Sequence, residues 1–466
     1  MRIVLVLMVV LLSGCVATMD SSLLVQRTAP KTDFVVRNAT VFDGFQFGAE
    51  QDVWVKSGKI QAVGKNLEVP EEVKIIRGEG RTLLPGLIDM HVHLLAAGAP
   101  PWRTTLGSME RTLSANLAMG VTSVLDMGAP IDDISSWQND TALKMPRYAY
   151  AGTLFNIEHG HPSYMIEKSV FWPLSSIIKR KMISELETIS DARDFIDEHK
   201  EAGASMIKIV MDEIPLDSPV MAQELLNALV EYAHQQNLKV VAHIGAEEEL
   251  LKGITAKVDL FVHGLYRSGL SSMALGKLKS SGIPVVPTSV VWDQLALFYQ
   301  DELSFNALEH FVVDSEIEHA YGNRPDSLEL DPSIIAWFDT LLDYRQEKFA
   351  IIDAMYRAKV PLFIGSDSPN VGSVAGATVH KEMALWQQHT GLKSEAILAA
   401  ATGHSGQWLE QYLGWKVGQV KAGYDADLLL VQGDVSKDIT LTQGLDNIWI
   451  GGQLVESKLK SGKGQN

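Results

Sequence analysis

A chain of 466 residues, 46% hydrophobic and 21% charged, is long and apolar enough for one large barrel plus a smaller unit, and this composition excludes extended disorder. The formal charge of −17 excludes sequence-independent nucleic-acid binding, which needs a basic surface to displace counterions from phosphates. A single cysteine, Cys15, leaves no intramolecular disulfide and no cysteine-based metal site.

The chain begins Met1-Arg2, continues through an apolar run from Ile3 to Leu12, and reaches Ser13-Gly14-Cys15. That run is too short to span a bilayer comfortably, and its basic start and small residues fit a secretory signal. Leu12-Ser13-Gly14-Cys15 resembles a bacterial lipobox, which implies a lipoprotein signal peptide over 1–15, with cleavage before Cys15 and acylation of its thiol. Val16 in place of an aspartate favours, by the same resemblance, the outer membrane, facing the periplasm or the exterior. The polar residues 16–31 read as a tether.

From Phe34 to Leu84 short alternating segments separated by Gly and Asp-Gly predict a small antiparallel sheet, as in Phe34–Phe42, Asp52–Lys56 and Lys59–Gly64. A similar cluster returns in Asp427–Val431 and Asn447–Val455. Two such clusters flanking a long α/β stretch predict one β-sandwich domain assembled from both chain ends, residues 32–84 plus 416–457. Between them, eight strand-like runs alternate with helical patterns: Leu87–His93, Val121–Met127, Arg147–Leu154, Met206–Met211, Val240–Ile244, Leu260–His263, Pro284–Thr288 and Pro361–Ile364. Amphipathic stretches such as Ser190–Ala202, Met221–Gln236 and Ser394–Ala401 supply helices. The prediction for 85–415 is an α/β fold, a parallel (β/α)8 TIM-like barrel. Two long connections, Phe155 to Glu187 and Val291 to Tyr344, fall where barrel loops form lids and pocket walls.

The chemistry gathers at strand ends. His91 and His93 close the first strand, and residues two apart on an extended strand share a face, so both imidazoles can reach one ion. Lys208 stands inside an apolar fourth strand, where a charge is costly unless paired or chemically changed. His243 and His263 close the fifth and sixth strands, and Asp367 follows the eighth in Gly365-Ser366-Asp367-Ser368.

Together these residues resemble the amidohydrolase superfamily, in its binuclear, carboxylated-lysine branch, and most closely its prolidase and imidazolonepropionase-like members. The resemblance implies that His91, His93, Asp367 and Lys208 bind one divalent ion and that Lys208, His243 and His263 bind the other, most simply zinc. Lys208 would carry an N6-carboxylate bridging both ions, since CO₂ turns its amine into an anionic oxygen ligand. It further implies a hydrolase that cleaves an amide or peptide bond, in a dipeptide, an Xaa-Pro-type substrate or an N-acyl amino acid, by attack of a metal-bridging hydroxide. Asp367 would be the catalytic proton carrier. Candidate substrate contacts are His161 after the third strand, with His159 beside it, Tyr266 and Arg267 after the sixth, and His380. Trp292, Phe298 and Tyr299 are compatible with an apolar substrate group. A lactone or phosphoester hydrolase is the alternative within enzymes, and a non-catalytic surface lipoprotein on the same fold is the alternative outside them. The expected partners are a small molecule or dipeptide and, through the lipid anchor, a membrane.

Overall fold

Strand Arg81–Pro85 of the small domain runs through Gly86 directly into Leu87–Val92, the first barrel strand. Only glycine fits at this joint, because a Cβ on Gly86 would sit 2.2 Å from Thr122 Oγ1. The structure is a computed structural model and describes residues 17–19, 22–139, 143–169, 172–326, 328 and 330–457. Cys15 and the expected signal peptide lie outside the described residues. No described helix is long and apolar enough to cross a membrane.

The small domain is one nine-stranded mixed sheet. Its order is Val25–Thr28, Gln453–Ser457, Leu445–Ile450, Leu428–Gln432, Arg81–Pro85, Phe34–Phe42, Phe47–Lys56 and Lys59–Gly64, with Lys74–Arg77 also paired to Phe34–Phe42. Both chain ends contribute, and Phe34 stacks on Trp449 at 5.0 Å between ring centroids. Arg147, at the base of the third barrel strand, reaches Asp425 at 2.8 Å and also pairs with Asp427, which ties the sheet to the barrel. The stretch 16–31, expected as a tether, instead carries two strands. Ala17–Thr18 pairs with Thr105–Leu106, and Val25–Thr28 with the last strand of the sheet. Its buried Leu24 and Val25 explain the difference, since they join the hydrophobic core.

The barrel strands are Leu87–Val92, Val121–Asp126, Arg147–Tyr150 continued by Leu154–Asn156, Met206–Val210, Lys239–His243, Leu260–Val262 and Val285–Val286, all parallel. The third strand breaks at Gly152, whose φ is +80°, and its second half takes up an extra parallel partner, Ile183–Glu185. The eighth position is an extended segment. Phe363 N donates to Val285 O and Met90 N to Ile364 O, each at 3.0 Å, so the segment closes the ring between the seventh and first strands. Met90, Leu125, Met206, Val241, Leu260 and Phe363 fill the barrel interior, sealed below by Trp408 and Leu409.

The helices follow local signals. Ile189–Glu201 starts at a capping box, in which Thr188 and Asp191 satisfy each other's backbone amides. Gln223–Gln235 and Ser394–Ala401 occupy the amphipathic stretches read from the sequence. The two long connections also fold: the first holds helices Ser163–Ser169 and Leu174–Met182, and the second helices Ala307–Val312, Ser315–Gly322 and Pro332–Asp343.

Candidate metal centre

Strand register and the eighth segment carry the six expected ligands to one end of the barrel. Val210 is opposite His243, and His243 is opposite Val262, so the tips of strands four to six are level, with His263 one residue beyond. Met206 and Lys208, like Val241 and His243, are two apart on their strands, which sets each ligand directly above an interior side chain. Asp367 N donates to His91 O at 2.8 Å and His93 N to Ser368 O at 2.9 Å, which brings the eighth segment against the first strand. His263, Thr288 and Asp367 have φ of +61°, +45° and +54°. Non-glycine residues take this left-handed conformation rarely, and here three strand tips in succession use it to re-aim their side chains.

The side chains converge. His91 Nε2 and His93 Nε2 lie 3.0 and 2.9 Å from Asp367 Oδ1. Ligand atoms of His91, His263 and Asp367 all lie within 4.8 Å of one another. The His91 ring is 4.6 Å from that of His263, which is 4.0 Å from that of His243. Lys208 is buried beside them, with no hydrogen bond or ion pair among the described residues.

Burial sets the charges. It pushes His91 and His161 down to about 3, with Lys208 adding to the effect on His91 and the neighbouring His243 ring to that on His161, and it holds His243 and His263 low as well. These rings are therefore neutral, the form that binds metal. Burial works against the Asp367 carboxylate, but His91 and His93 outweigh it and hold Asp367 well below the usual carboxylate range. Burial brings Lys208 down to about 7, which Asp367 and Asp126 oppose.

His91 Nδ1 is buried without a hydrogen-bond partner, and His91 Nε2 and Asp367 Oδ1, although 3.0 Å apart, are not aligned as a hydrogen bond. Orphaned groups of this kind are rare in folded proteins, and imidazole nitrogen with carboxylate oxygen is a donor set that suits a divalent metal. The residues present fit such an ion.

Surrounding groups hold the ligands. His93 Nδ1 lies 3.2 Å from Gly128 O, and His263 Nδ1 2.8 Å from Thr288 Oγ1. Asn370 Nδ2 donates to Asp367 Oδ2 at 3.0 Å, leaving the other oxygen to the basin. Asp89 accepts from the Ser366 hydroxyl at 2.5 Å and from Ser366 N at 3.0 Å, which fixes the turn leading to Asp367. Such supporting contacts orient ligands and tune what they bind.

Residues 82–455 match the Amidohydrolase family. The chain belongs to the amidohydrolase family. It is similar to dihydroorotase from Pelobacter propionicus, 27% identical over 261 residues, or 55% of this chain and 50% of that one. Dihydroorotase from Aquifex aeolicus is 27% identical over 224 residues, or 47% of this chain and 44% of that one. The chain thus spans about half the length of these relatives. Among solved structures, a Xaa-Pro dipeptidase with bound methionine in the active site has a TM-score of 0.70 at 19% identity, covering 91% of this chain and all of that one. Ochratoxinase from A. niger has a TM-score of 0.68 at 17% identity, covering 92% and 96%. These likenesses establish the amidohydrolase fold. The protein is a metal-dependent member of that family, carrying the site of His91, His263 and Asp367.

The expected substrate contacts divide. His161 sits beside His243, with ring centroids 5.5 Å apart and its Nδ1 buried without a partner. His159 points outward and pairs with Glu167 at 3.2 Å. Tyr266 is fully buried, stacks on Trp292 at 3.7 Å, and donates to Asp212 at 2.5 Å. The Arg267 guanidinium is engaged by Asp212 at 2.8 Å and by Glu249, so it is no free clamp for a substrate carboxylate. His380 lies away from the basin: its nitrogens face Thr442 Oγ1 and Met119 O, each at 2.9 Å, pinning helix Ala377–His389 to the segments at 119 and 442. A histidine early in a helix looks the same in sequence whether it faces a site or a backbone carbonyl.

Asp212 is the residue that sequence reading passed over. It stands four residues after Lys208, buried, with Oδ2 3.0 Å from His243 Nε2. Burial would raise its pKa, but His243, Arg267 and Tyr266 together bring it below the usual carboxylate range. The available signal was an acid just past the end of a fully buried strand, a place that calls for a partner.

Proposed function

We propose that this protein hydrolyses an amide or peptide bond in a small substrate such as a dipeptide, an Xaa-Pro-type peptide or an N-acyl amino acid, using two divalent ions, and that acylated Cys15 holds it in a bacterial cell envelope, at the outer membrane. The observation that carries the hydrolase reading is the convergence of neutral His91, His243 and His263 with His93, Asp367 and an unpaired, buried Lys208. His91, His93, Asp367 and Lys208 would hold one ion, and Lys208, His243 and His263 the other. Zinc suits these donors. A buried lysine that makes no hydrogen bond or ion pair among the described residues supports N6-carboxylation, because a carboxylated amine is an anion with two ligand oxygens. When bound, the ions supply acidified water and polarisation of the scissile carbonyl.

The chain's own groups do the rest. Asp367 has one oxygen fixed by Asn370 and one facing the basin, so it can take a proton at Oδ1 and deliver it to the leaving amine. Asp212 holds the His243 ring in place. Trp292, 5.1 Å from the His263 ring, forms an apolar wall against which a substrate side chain can pack. His161 Nδ1 is placed to meet a polar substrate atom. The names of fold neighbours, an Xaa-Pro dipeptidase and a prolidase complexed with N-methylphosphonate-L-proline, favour a dipeptide.

The test combines metal analysis with a panel of dipeptides, N-acyl amino acids, lactones and phosphoesters. About two equivalents of zinc and turnover of an amide substrate are expected. A metal-replete preparation that binds no ion, or cleaves only the esters, would overturn the reading.

A further inference from the structure

The first described strand is pinned beside the site. Ala17 pairs with Thr105 and Thr18 with Leu106, in parallel. Ala17 N donates to Thr104 O at 3.0 Å and Met19 N to Leu106 O at 3.1 Å. Thr105–Leu106 lies in the connection after the first barrel strand and just before helix Met109–Ala118, so it belongs to the barrel end that carries His93 and Asp367. Cys15 precedes Ala17 by two residues, and two residues of chain reach at most about 7 Å. A lipid on Cys15 would therefore emerge at the site's own end of the barrel, with no slack to reach the other.

The same end exposes apolar side chains. Nine large hydrophobic side chains are exposed among the described residues, and five of them stand on connections at this end: Leu106, Met165, Trp172, Ile177 and Ile335. Trp172 is 81% exposed, more than any of the others. Large apolar side chains left exposed at one end of a domain point to an interaction surface.

Charge points to the partner. In a chain of net charge −17, residues 163–182 carry Lys168, Lys179, Arg180 and Lys181 against one acid, Glu167. Lys179 is taken up by Glu167 and Glu185, and Lys181 lies 3.7 Å from Asp133, while Lys168, Arg180 and Lys181 are exposed on the segment that carries Met165, Trp172 and Ile177. Trp172 in the turn before the short helix Leu174–Met182 and Ile177 on that helix, with exposed cations in the same segment, match the headgroup layer of a membrane.

We propose that the site's end of the barrel lies against a lipid bilayer, with Leu106, Met165, Trp172 and Ile177 in the headgroup region and Lys168, Arg180 and Lys181 on anionic headgroups. The orientation rests on the reading of Cys15 as acylated, whereas the rim contact rests on described residues alone.

Since Cys15 is the only cysteine, Trp172→Cys, Ile177→Cys and Tyr356→Cys each add one labelling site to the acylated full chain. Tyr356 is exposed just before the eighth barrel segment, at the opposite end. Each variant carries an environment-sensitive fluorophore and is bound to phosphatidylethanolamine–phosphatidylglycerol vesicles containing doxyl-lipid quencher. Quenching at 172 and 177 at least threefold stronger than at 356 is expected, falling in an Arg180→Glu/Lys181→Glu background. Equal quenching at both ends overturns the proposal. The anchor is read separately, by intact mass. If Cys15 carries no acyl group, that reading falls, and the same three substitutions in a Cys15→Ser chain, which again has one labelling site, judge the rim. Salt-sensitive binding to the anionic vesicles through 172 and 177 supports it, and no binding overturns it.

Discussion

Asp212 Oδ2 stands 3.0 Å from His243 Nε2 while accepting the Tyr266 hydroxyl at 2.5 Å, and Asp212 Oδ1 accepts Arg267 Nε at 2.8 Å. One carboxylate thus links a metal-ligand candidate to a buried tyrosine and a buried arginine, and its position is fixed from three sides. Gly245 lies against it, and a Cβ there would be 2.6 and 2.7 Å from the two carboxylate oxygens. Gly245→Ala should displace Asp212, weakening metal binding about 10- to 100-fold and destabilising the fold by about 1–3 kcal/mol. Metal titration and urea unfolding measure the two effects. Unaltered metal affinity would mean that Asp212 does not position His243.

Asp367→Asn keeps the shape of the side chain and removes the group that can carry a proton. Turnover should drop about 10²- to 10⁴-fold, while the far-ultraviolet circular dichroism spectrum stays unchanged. Near-normal kcat in this variant would remove Asp367 from the chemistry.

Dialysis against a chelator should abolish activity and lower Tm, because an ion that binds only the folded state stabilises it. Zinc should restore both. Lys208→Met should reduce bound metal below two equivalents, read by elemental analysis of the purified variant. Full metal content in Lys208→Met would show that the lysine is no ligand.

Lys348 offers a test of pH linkage away from the site. Its Nζ is buried without a hydrogen bond, 3.7 Å from Asp293, and burial brings its pKa down to about 8 against the pull of Asp293. An unfolded lysine titrates near 10.4. Between about pH 8 and 10.4 the unfolded chain therefore holds the proton that the folded chain has released, and stability rises with pH across that window. Lys348→Met should flatten the rise and stabilise the protein at pH 7 by roughly 1–4 kcal/mol, since Asp293 keeps Arg345 at 2.8 Å. Denaturant midpoints at pH 7 and pH 10 check both.

The barrel was legible because its strands are short apolar runs ending in chemically conspicuous residues: His91, His93, His243, His263 and Asp367 all lie at strand tips, as their sequence contexts suggested. What stayed hidden depends on contacts between distant segments. Nothing in the sequence near Leu24 and Val25 marks them as core, because their partners, Ser114 and Ser457, are far along the chain. Arg267 looked available for substrate until Asp212 and Glu249 were seen on either side of it. The break in the third strand at Gly152 was likewise unreadable, since it reflects the insertion of Ile183–Glu185 alongside.

The mixed sheet has a consequence for the order in which the protein is made. Val25 pairs with Ser457, so the edge of the sheet cannot close until the ribosome has produced nearly the whole chain. Leu428–Gln432 likewise meets Arg81–Pro85 only after every barrel strand has been synthesised. Such pairings carry high loop-closure entropy and form slowly. The N-terminal strands can pair with one another early, but apolar Val36 and Val41 stay uncovered until Leu428, Leu430 and Trp449 arrive to pack with them. Chains shortened by about ten residues before Ser457 should therefore accumulate with a folded barrel and an open, aggregation-prone sheet edge.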